Sequence, residues 1–331
     1  MSTHFVESSL AKADAVFEIP IRPQTLHDFT GQDAVRERLE VLLGAAKMRG
    51  ETLPHCLFSG PPGLGKTTLA HILAKSMGTN IVVTSGVVIE KPGDLAGILT
   101  HLQTGDILFI DELHRLNRAI EEYLYPAMED FVLDLMLDSG PSARSVQVKL
   151  NKFTLVGATT RTGLLSSPLR SRFGFNSRLD YYDASLIARI LERTGRILNL
   201  TIDEDATYEI ARRSRGTPRI GNNLLRWVRD YAQMRTDSVI DRGVADQALK
   251  MLAIDEMGLD EMDKKILNTM IELYQGGPVG LNALAAAIGE EGSTIEEVYE
   301  PFLIMQGFLK RTPRGREVTP QAYGHMKKTE I

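Results

Sequence analysis

The chain has 331 residues, with 38 Lys and Arg against 43 Asp and Glu, and a formal net charge of −5. Hydrophobic residues make up 43% and charged residues 24%, the make-up of a globular protein of about two domains; a collagen and a wholly disordered chain are excluded, and one cysteine excludes a disulfide scaffold. No run of ~18 apolar residues is present, so no membrane span is expected, and the mildly acidic total, taken alone, argues against a nucleic-acid partner.

The opening residues carry Glu7, Lys12, Asp14 and Glu18 and lack the basic start and apolar core of a secretory signal. A cytoplasmic location is the expectation, and residues 1–20 read as a mobile arm. Val35, Leu39, Leu42, Leu43 and Ala46 recur at helical spacing over residues 32–49. Leu57-Phe58-Ser59 is a short apolar strand, with the lone Cys56 read as a small buried hydrophobe at its start. A helix follows over 67–77, with Leu69, Ile72 and Leu73 on one face. Ile81-Val82-Val83, Ile107 to Ile110 and Phe153 to Gly157 read as further strands. Strands alternating with helices predict an α/β fold with a parallel sheet. Between the last two strands, Leu133, Leu135 and Leu137 alternate, Asp138-Ser139-Gly140-Pro141 turns, and Val146, Val148 and Leu150 alternate again, which predicts a β-hairpin.

From about Asp183 to Ile254 the chain reads as helical and arginine-rich, interrupted at Gly216-Thr217-Pro218, with Trp227 as core. Asp255 to Gly258 reads as a junction. Beyond it, Leu259, Met262, Ile266, Met270 and Leu273 share a helical face, Leu281 to Ile288 forms a short helix, and Ser293-Thr294-Ile295-Glu296 opens a third helix with a capping box. Phe308 to Arg311 and Arg316 to Val318, joined by a Thr-Pro-Arg-Gly turn, make a hairpin, and three helices followed by a hairpin is the winged-helix pattern. The expected division is an arm at 1–20, a large domain at 21–182, a small helical domain at 183–254 and a winged-helix domain at 255–331. Charge follows that division: residues 254–300 hold two basic against 11 acidic side chains, and residues 301–331 hold six basic against two acidic. The acidic total therefore conceals a basic wing, where Arg311, Arg314 and Arg316 would meet DNA phosphates without reading sequence.

Gly60 to Thr67 fits G-x-x-x-x-G-K-[ST], after a strand and opening a helix, as a phosphate-binding loop requires. Backbone N–H groups around Gly63 and Gly65 would cradle phosphates, Lys66 would bridge the β- and γ-phosphates of ATP, and the Thr67 hydroxyl would ligate Mg2+. Ile107 to Ile110 deliver Asp111 and Glu112 to the same sheet edge, Asp111 for the metal and Glu112 to polarise the attacking water. Thr160, after the strand at 153–156, could hold the same water or the γ-phosphate. Arg170 and Arg172 in SPLRSRFG, and Arg219 after Gly216-Thr217-Pro218, are candidates to stabilise charge on the transferring phosphoryl group.

These strings together resemble the AAA+ ATPases and, within them, the RuvB family of bacterial Holliday-junction branch-migration motors. The resemblance rests on GPPGLGKTT at 60–68, EKPGDLA at 90–96, LFIDELHRLNR at 108–118, LYPAMEDF at 124–131, GPSARS at 140–145, LVGATTR at 155–161, SPLRSRFG at 167–174, RRSRGTPRI at 212–220, EEVYEPFL at 296–303 and RTPRGR at 311–316. It implies an α/β P-loop NTPase (AAA+) large lobe with a parallel sheet, a small all-helical lid lobe and a C-terminal winged-helix domain. It further implies that Ile21, Arg22 and Tyr182 line the adenine pocket and that Gly63, Gly65, Lys66, Thr67 and Thr68 hold the phosphates. Glu129, Asp130 and Phe131 would touch nucleotide. Thr160 would be the first sensor, Arg172 the finger reaching a neighbour's ATP, and Arg219 the second sensor. Arg311 and Arg316 would contact DNA. The implied assembly is a hexameric ring around duplex DNA, driven from a junction held by RuvA through the hairpin near 133–150, with resolution by RuvC, in recombination and DNA repair. A clamp-loader-like switch and a winged-helix regulator without turnover are the rivals; the wing and hairpin argue against the first, and the intact Asp111-Glu112 pair against the second.

Overall fold

The computed structural model describes residues 15–136 and 145–329. Contacts divide the chain into two compact units: one runs from Arg22 to Tyr181, and the other joins the described residues up to Ile21 with those from Tyr182 onward.

The Arg22–Tyr181 unit is built on five strands: β1 (Cys56–Ser59), β2 (Ile81–Ser85), β3 (Ile107–Asp111), β6 (Thr154–Thr159) and β7 (Phe175–Arg178). Their order is β2-β3-β6-β1-β7, and every pairing is parallel. β6 is buried at all six positions and β3 at its first four, as expected of central strands covered on both faces. β2 is an edge strand, and its Val82 and Val83 are exposed. The register pairs Ser59 with Thr159, and Ile110 with Gly157, so the chain leaves β1, β3 and β6 along one edge of the sheet. Helices Lys66–Met77, Pro92–His101 and Arg118–Glu129 supply the crossovers. Leu95, Leu99, Ile120 and Leu124 from two of them pack on Leu108, Ile110 and Leu155 of the sheet.

β4 (Val132–Met136) and β5 (Ser145–Lys149) form the expected antiparallel hairpin, with Leu133 opposite Val148. Its turn, including Asp138 to Pro141, lies outside the described residues.

The second unit begins with a helix at Ala15–Ile21. The arm expected over 1–20 is therefore helical from residue 15. Phe17 and Ile21, one turn apart, are buried, and the Arg226 guanidinium lies over the Phe17 ring at 5.0 Å. Residues 1–14 lie outside the described residues. Helices Ala184–Ile197, Glu204–Arg212, Pro218–Arg235 and Arg242–Met251 follow. Three start at an aspartate, Asp183, Asp203 and Asp241, whose side chain accepts from a first-turn N–H. Trp227 is only partly buried, and its Nε1 donates to the Ala248 carbonyl at 2.8 Å, so it fastens two helices rather than filling the core.

The winged-helix part comprises helices Glu261–Tyr274 and Leu281–Ile288, a helical stretch from Gly292 to Met305, and two antiparallel wing strands, Leu309–Thr312 and Gly315–Val318. Leu259, Met262, Ile266 and Met270 are buried, but Leu273 is exposed, because the buried face turns away before the helix ends. Ser293 does not cap the third helix. It sits inside the first turn, after Glu291. A further helix, Pro320–Thr329, beyond the three helices and hairpin that the sequence predicts, packs Ala322 and Met326 on the same core.

His55 fastens the large sheet to its neighbouring helix. Its Nδ1 accepts from the Leu155 N–H at 2.8 Å, so its Nε2 carries the proton and donates to the Met128 carbonyl at 3.0 Å. Burial lowers its pKa from 6.5, with the Met128 bond acting weakly the other way. A base kept neutral by burial binds fewer protons folded than unfolded between its lowered value and 6.5. Stability present above that window is thus lost as pH falls through it, by up to ~1.4 kcal/mol per unit. Denaturant unfolding at about pH 7.5 and about pH 5.5 should show this loss, and His55→Gln should show less of it; equal losses would exclude His55 as the cause.

Candidate active site

Gly60, Gly63 and Gly65 all have positive φ, so the loop after β1 turns where side chains are disfavoured. A Cβ on Gly60 would lie 2.3 Å from the Leu179 carbonyl, which fixes glycine there. The helix Lys66–Met77 starts directly from this loop, aiming its first N–H groups at the loop's hollow. Lys66 is 7% exposed, and its ammonium donates to the carbonyls of Gly60 and Pro61, each at 2.7 Å. The cation is thus already held over the phosphate-binding turn. Arg22 lies close enough to this helix that its charge, after burial, helps lower the pKa of His71.

β6 runs between β1 and β3, which sets Thr160 between the phosphate loop and the acidic pair. The Thr160 hydroxyl donates to Glu112 Oε2 at 3.2 Å. Asp111 Oδ1 accepts from the Glu112 N–H at 2.9 Å. Glu112 has φ 47°, ψ 47°, a left-handed conformation that costs a non-glycine residue about 1–2 kcal/mol and turns its carboxylate sharply out of the strand.

Two residues at this corner were not singled out from sequence. His114 Nδ1 lies 3.3 Å from Glu112 Oε2 and 3.0 Å from Thr159 Oγ1. Gly86 donates its N–H to the Asp111 carbonyl at 2.8 Å, and a Cβ there would meet the Glu112 carbonyl at 2.5 Å. His114 sits inside the string at 108–118, but only the three-dimensional meeting with Thr159 reveals a role. Gly86 carries no local signal at all.

The oxygen donors that could hold Mg2+ are the Thr67 hydroxyl and the Asp111 carboxylate. Thr67 lies in the first turn of a helix that packs on β3, at whose end Asp111 stands. Hard oxygen donors, few in number, suit an ion that keeps waters and shares phosphate oxygens, so the residues fit.

The arginines are spread out. Arg172 pairs with Glu129 at 3.0 Å, donates to the Pro168 carbonyl at 2.7 Å and stacks over Tyr125 at 4.4 Å. This gives Glu129 a concrete contact on its own chain. Asp130 follows as the helix C-cap, and Phe131 packs edge-on against Phe153 at 5.9 Å.

In the second unit, Ile21 is buried and its carbonyl accepts from Arg193 at 2.6 Å; Tyr182 is buried and its N–H donates to the Gly216 carbonyl at 3.0 Å. Arg219 opens the helix Pro218–Arg235 and lies 3.4 Å from Glu18. Just before it, Arg213 and Arg215 are 2% and 3% exposed, not solvated. Arg213 binds Glu209 and, at 2.6 Å, Asp246. Arg215 forks onto Asp263 at 3.0 and 3.2 Å and lies 4.1 Å over the Phe302 ring, fastening the helical lobe to the winged-helix core. Burial raises the Asp263 carboxyl above its ordinary value, Arg215 pulls it back, and Asp260 adds to the rise.

On the wing, Arg311 and Arg316 are directly opposed across the two strands, and Arg314 is exposed in the turn between them. Both opposed guanidiniums rest on Glu300.

A glycine-turned loop feeding a helix, beside an acidic strand end on a parallel sheet, defines a P-loop nucleoside triphosphatase; the helical lobe and winged helix place it in the AAA+ class. Comparison with known proteins agrees. Residues 21–179 match the model of the Holliday junction DNA helicase RuvB P-loop domain, 182–255 the RuvB AAA lid domain and 256–327 the RuvB C-terminal winged helix domain. The chain is 69% identical over 326 residues to the Holliday junction branch migration complex subunit RuvB of Protochlamydia amoebophila, spanning 98% of both. It is 56% identical over 326 residues to the Chlamydia felis subunit of the same name, covering 98% of this chain and 96% of that one. The solved Thermotoga maritima RuvB Holliday junction branch migration motor is 53% identical, with a TM-score of 0.86 over 93% of this chain and 98% of that one. The chain belongs to the RuvB family.

The Gly86 contact gives a direct check. Gly86→Ala should push the Glu112 backbone aside and lower kcat for ATP by about tenfold or more, equivalent to ~1.4 kcal/mol, while ATP binding changes little. Steady-state turnover alongside equilibrium nucleotide binding measures both, and an unchanged kcat would show that Glu112 does not depend on this close approach.

Proposed function

We propose that this chain is the ATP-driven motor that moves Holliday junctions along duplex DNA, and that it works as a hexameric ring with RuvA, with RuvC resolving the junction. The observation that carries this reading is the placement of Glu112, held by Thr160 beside the phosphate loop, in a chain that also bears a wing with paired arginines. The labour divides between residues 21–182 for nucleotide chemistry, 183–254 as the lid and 255–331 for DNA. A cytoplasmic address fits this work; among the described residues no helix is long and apolar enough to cross a membrane.

In the proposed cycle, loop N–H groups around Gly63 and Gly65, with Thr67 and Thr68, hold the ATP phosphates. Lys66 exchanges the Gly60 and Pro61 carbonyls for β- and γ-phosphate oxygens. Ile21, Arg22 and Tyr182 recognise the adenine side, and Glu129, Asp130 and Phe131 contribute to nucleotide contact. Thr67 and Asp111 would hold Mg2+, which would neutralise phosphate charge. Glu112 accepts a hydrogen bond from the attacking water and aligns it on the γ-phosphorus, and Thr160 keeps the Glu112 carboxylate turned towards that water. The P–O bond to ADP breaks as the water oxygen bonds to phosphorus, and the water's proton passes to the Glu112 carboxylate. Charge spreading on the phosphoryl oxygens is met by Arg172 of a neighbouring chain. To reach a neighbouring nucleotide, Arg172 exchanges Glu129, the Pro168 carbonyl and the Tyr125 ring for phosphoryl oxygens. Arg219 reads the loss of γ-phosphate, and Arg215, four residues earlier, passes the change to the winged-helix core through Asp263 and Phe302. Arg311, Arg314 and Arg316 hold the DNA backbone, and the hairpin near 133–150 docks RuvA.

Glu112→Gln should bind ATP and still assemble while turnover falls at least ~100-fold, as for loss of a water-positioning group; wild-type turnover would remove Glu112 from the role. Arg172→Ala chains should be inactive alone, yet regain ATPase activity when mixed with equally inactive Lys66→Ala chains. A complete lack of rescue at every mixing ratio would argue that the finger is not supplied in trans.

A further inference from the structure

Glu300 is 1% exposed, and two arginine forks close on it. Arg311 donates through Nε to Oε1 at 2.7 Å and through Nη2 to Oε2 at 2.8 Å. Arg316 repeats the pattern at 3.0 and 3.2 Å. The two arginines are direct cross-strand partners, an arrangement in which like charges repel. A carboxylate shared between them removes that repulsion and fixes both planes. Burial alone would raise the Glu300 carboxyl, but hydrogen bonds and charge from Arg311 and Arg316 hold it below its ordinary value, so it is ionised and doubly engaged. Glu296 adds a looser contact, 3.3 Å from Arg311 and 3.7 Å from Arg316, and is itself a third exposed.

Each fork uses the Nε–Nη2 edge of a planar guanidinium, and Nη1 is left on the opposite corner. Arg311 keeps half its side chain exposed, Arg316 only 15%. We propose that Glu300 is a positioning residue for the DNA contact, clamping Arg311 and Arg316 by one edge so that their remaining N–H groups meet the phosphate backbone as a rigid pair. This rests on the reading of the wing as the DNA surface. Preorganisation is the gain: two flexible side chains lose their rotamer freedom before DNA arrives, not on arrival. The alternative role, a mere neutraliser of wing charge, makes the opposite prediction, because deleting a carboxylate near DNA should tighten binding.

The test uses the full chain and a plain duplex, with affinity measured across a salt series. Glu300→Gln keeps size and shape while removing the charge. It should weaken binding by about threefold to tenfold at moderate salt and reduce the slope of log Kd against log salt by about one, despite the added net positive charge. Glu296→Gln should leave binding unchanged or tighter. DNA-independent ATP turnover should persist in both. In an Arg311→Ala, Arg316→Ala background, Glu300→Gln should have no further effect on DNA binding, which a general loss of structure would not give. Should Glu300→Gln fail to fold, Glu300→Asp carries the test: it keeps the charge but shortens the reach, and it should weaken duplex binding in the same direction. Binding as tight as wild type, or tighter, with an unchanged slope would overturn the proposal for Glu300. Unchanged binding by the double arginine variant would instead overturn the wing reading, and with it the proposal.

Discussion

The catalytic edge depends on β6 being hydrogen-bonded in parallel on both sides, to β1 and to β3. That pairing sets the phosphate loop, the acidic pair and Thr160 at one edge although they lie up to ~100 residues apart in sequence. A slip of one residue would turn every side chain of the strand to the other face. Ser59 would no longer stand opposite Thr159, and the Thr160 hydroxyl would lose Glu112. Full burial of β6 resists such a slip, because it would move fitted side chains out of a close-packed interior.

Arginine–carboxylate pairs recur through the molecule, and burial sorts them by role. Arg213 with Glu209 and Arg215 with Asp263 are almost wholly buried. Removing one partner of such a pair leaves an uncompensated charge, at about 3–5 kcal/mol. They are joints: the first fastens helices of the lid, and the second fastens the lid to the winged helix. Arg172 with Glu129 and Arg219 with Glu18 are partly exposed, unlike these buried joints. Arg311 and Arg316 combine both characters, with one edge anchored on buried Glu300 and part of the side chain turned outward.

The sheet, the hairpin and the winged helix were legible because each is written in local periodicity and in apolar runs bounded by turns. The phosphate loop, Asp111 and Glu112 were legible because they form short strings whose spacing is fixed by the chemistry. What sequence hid depends on encounters across long separations. His114 gains meaning only beside Thr159, Gly86 only against the Glu112 backbone, and Glu300 only under two strands that follow it. Arg213 and Arg215 stand in an arginine-rich helical stretch, and nothing local there points to their carboxylates, up to 48 residues away. The mildly acidic total misled for a related reason: the basic residues cluster on the wing, and a sum discards position.

The most direct measurement is the conversion of a synthetic four-way junction to duplex products by this chain, with and without RuvA, in ATP and in a non-hydrolysable analogue. The account predicts conversion that requires hydrolysis and rises strongly with RuvA. ATP turnover without any junction movement in the presence of RuvA would contradict it and mark the chain as a switch, not a motor.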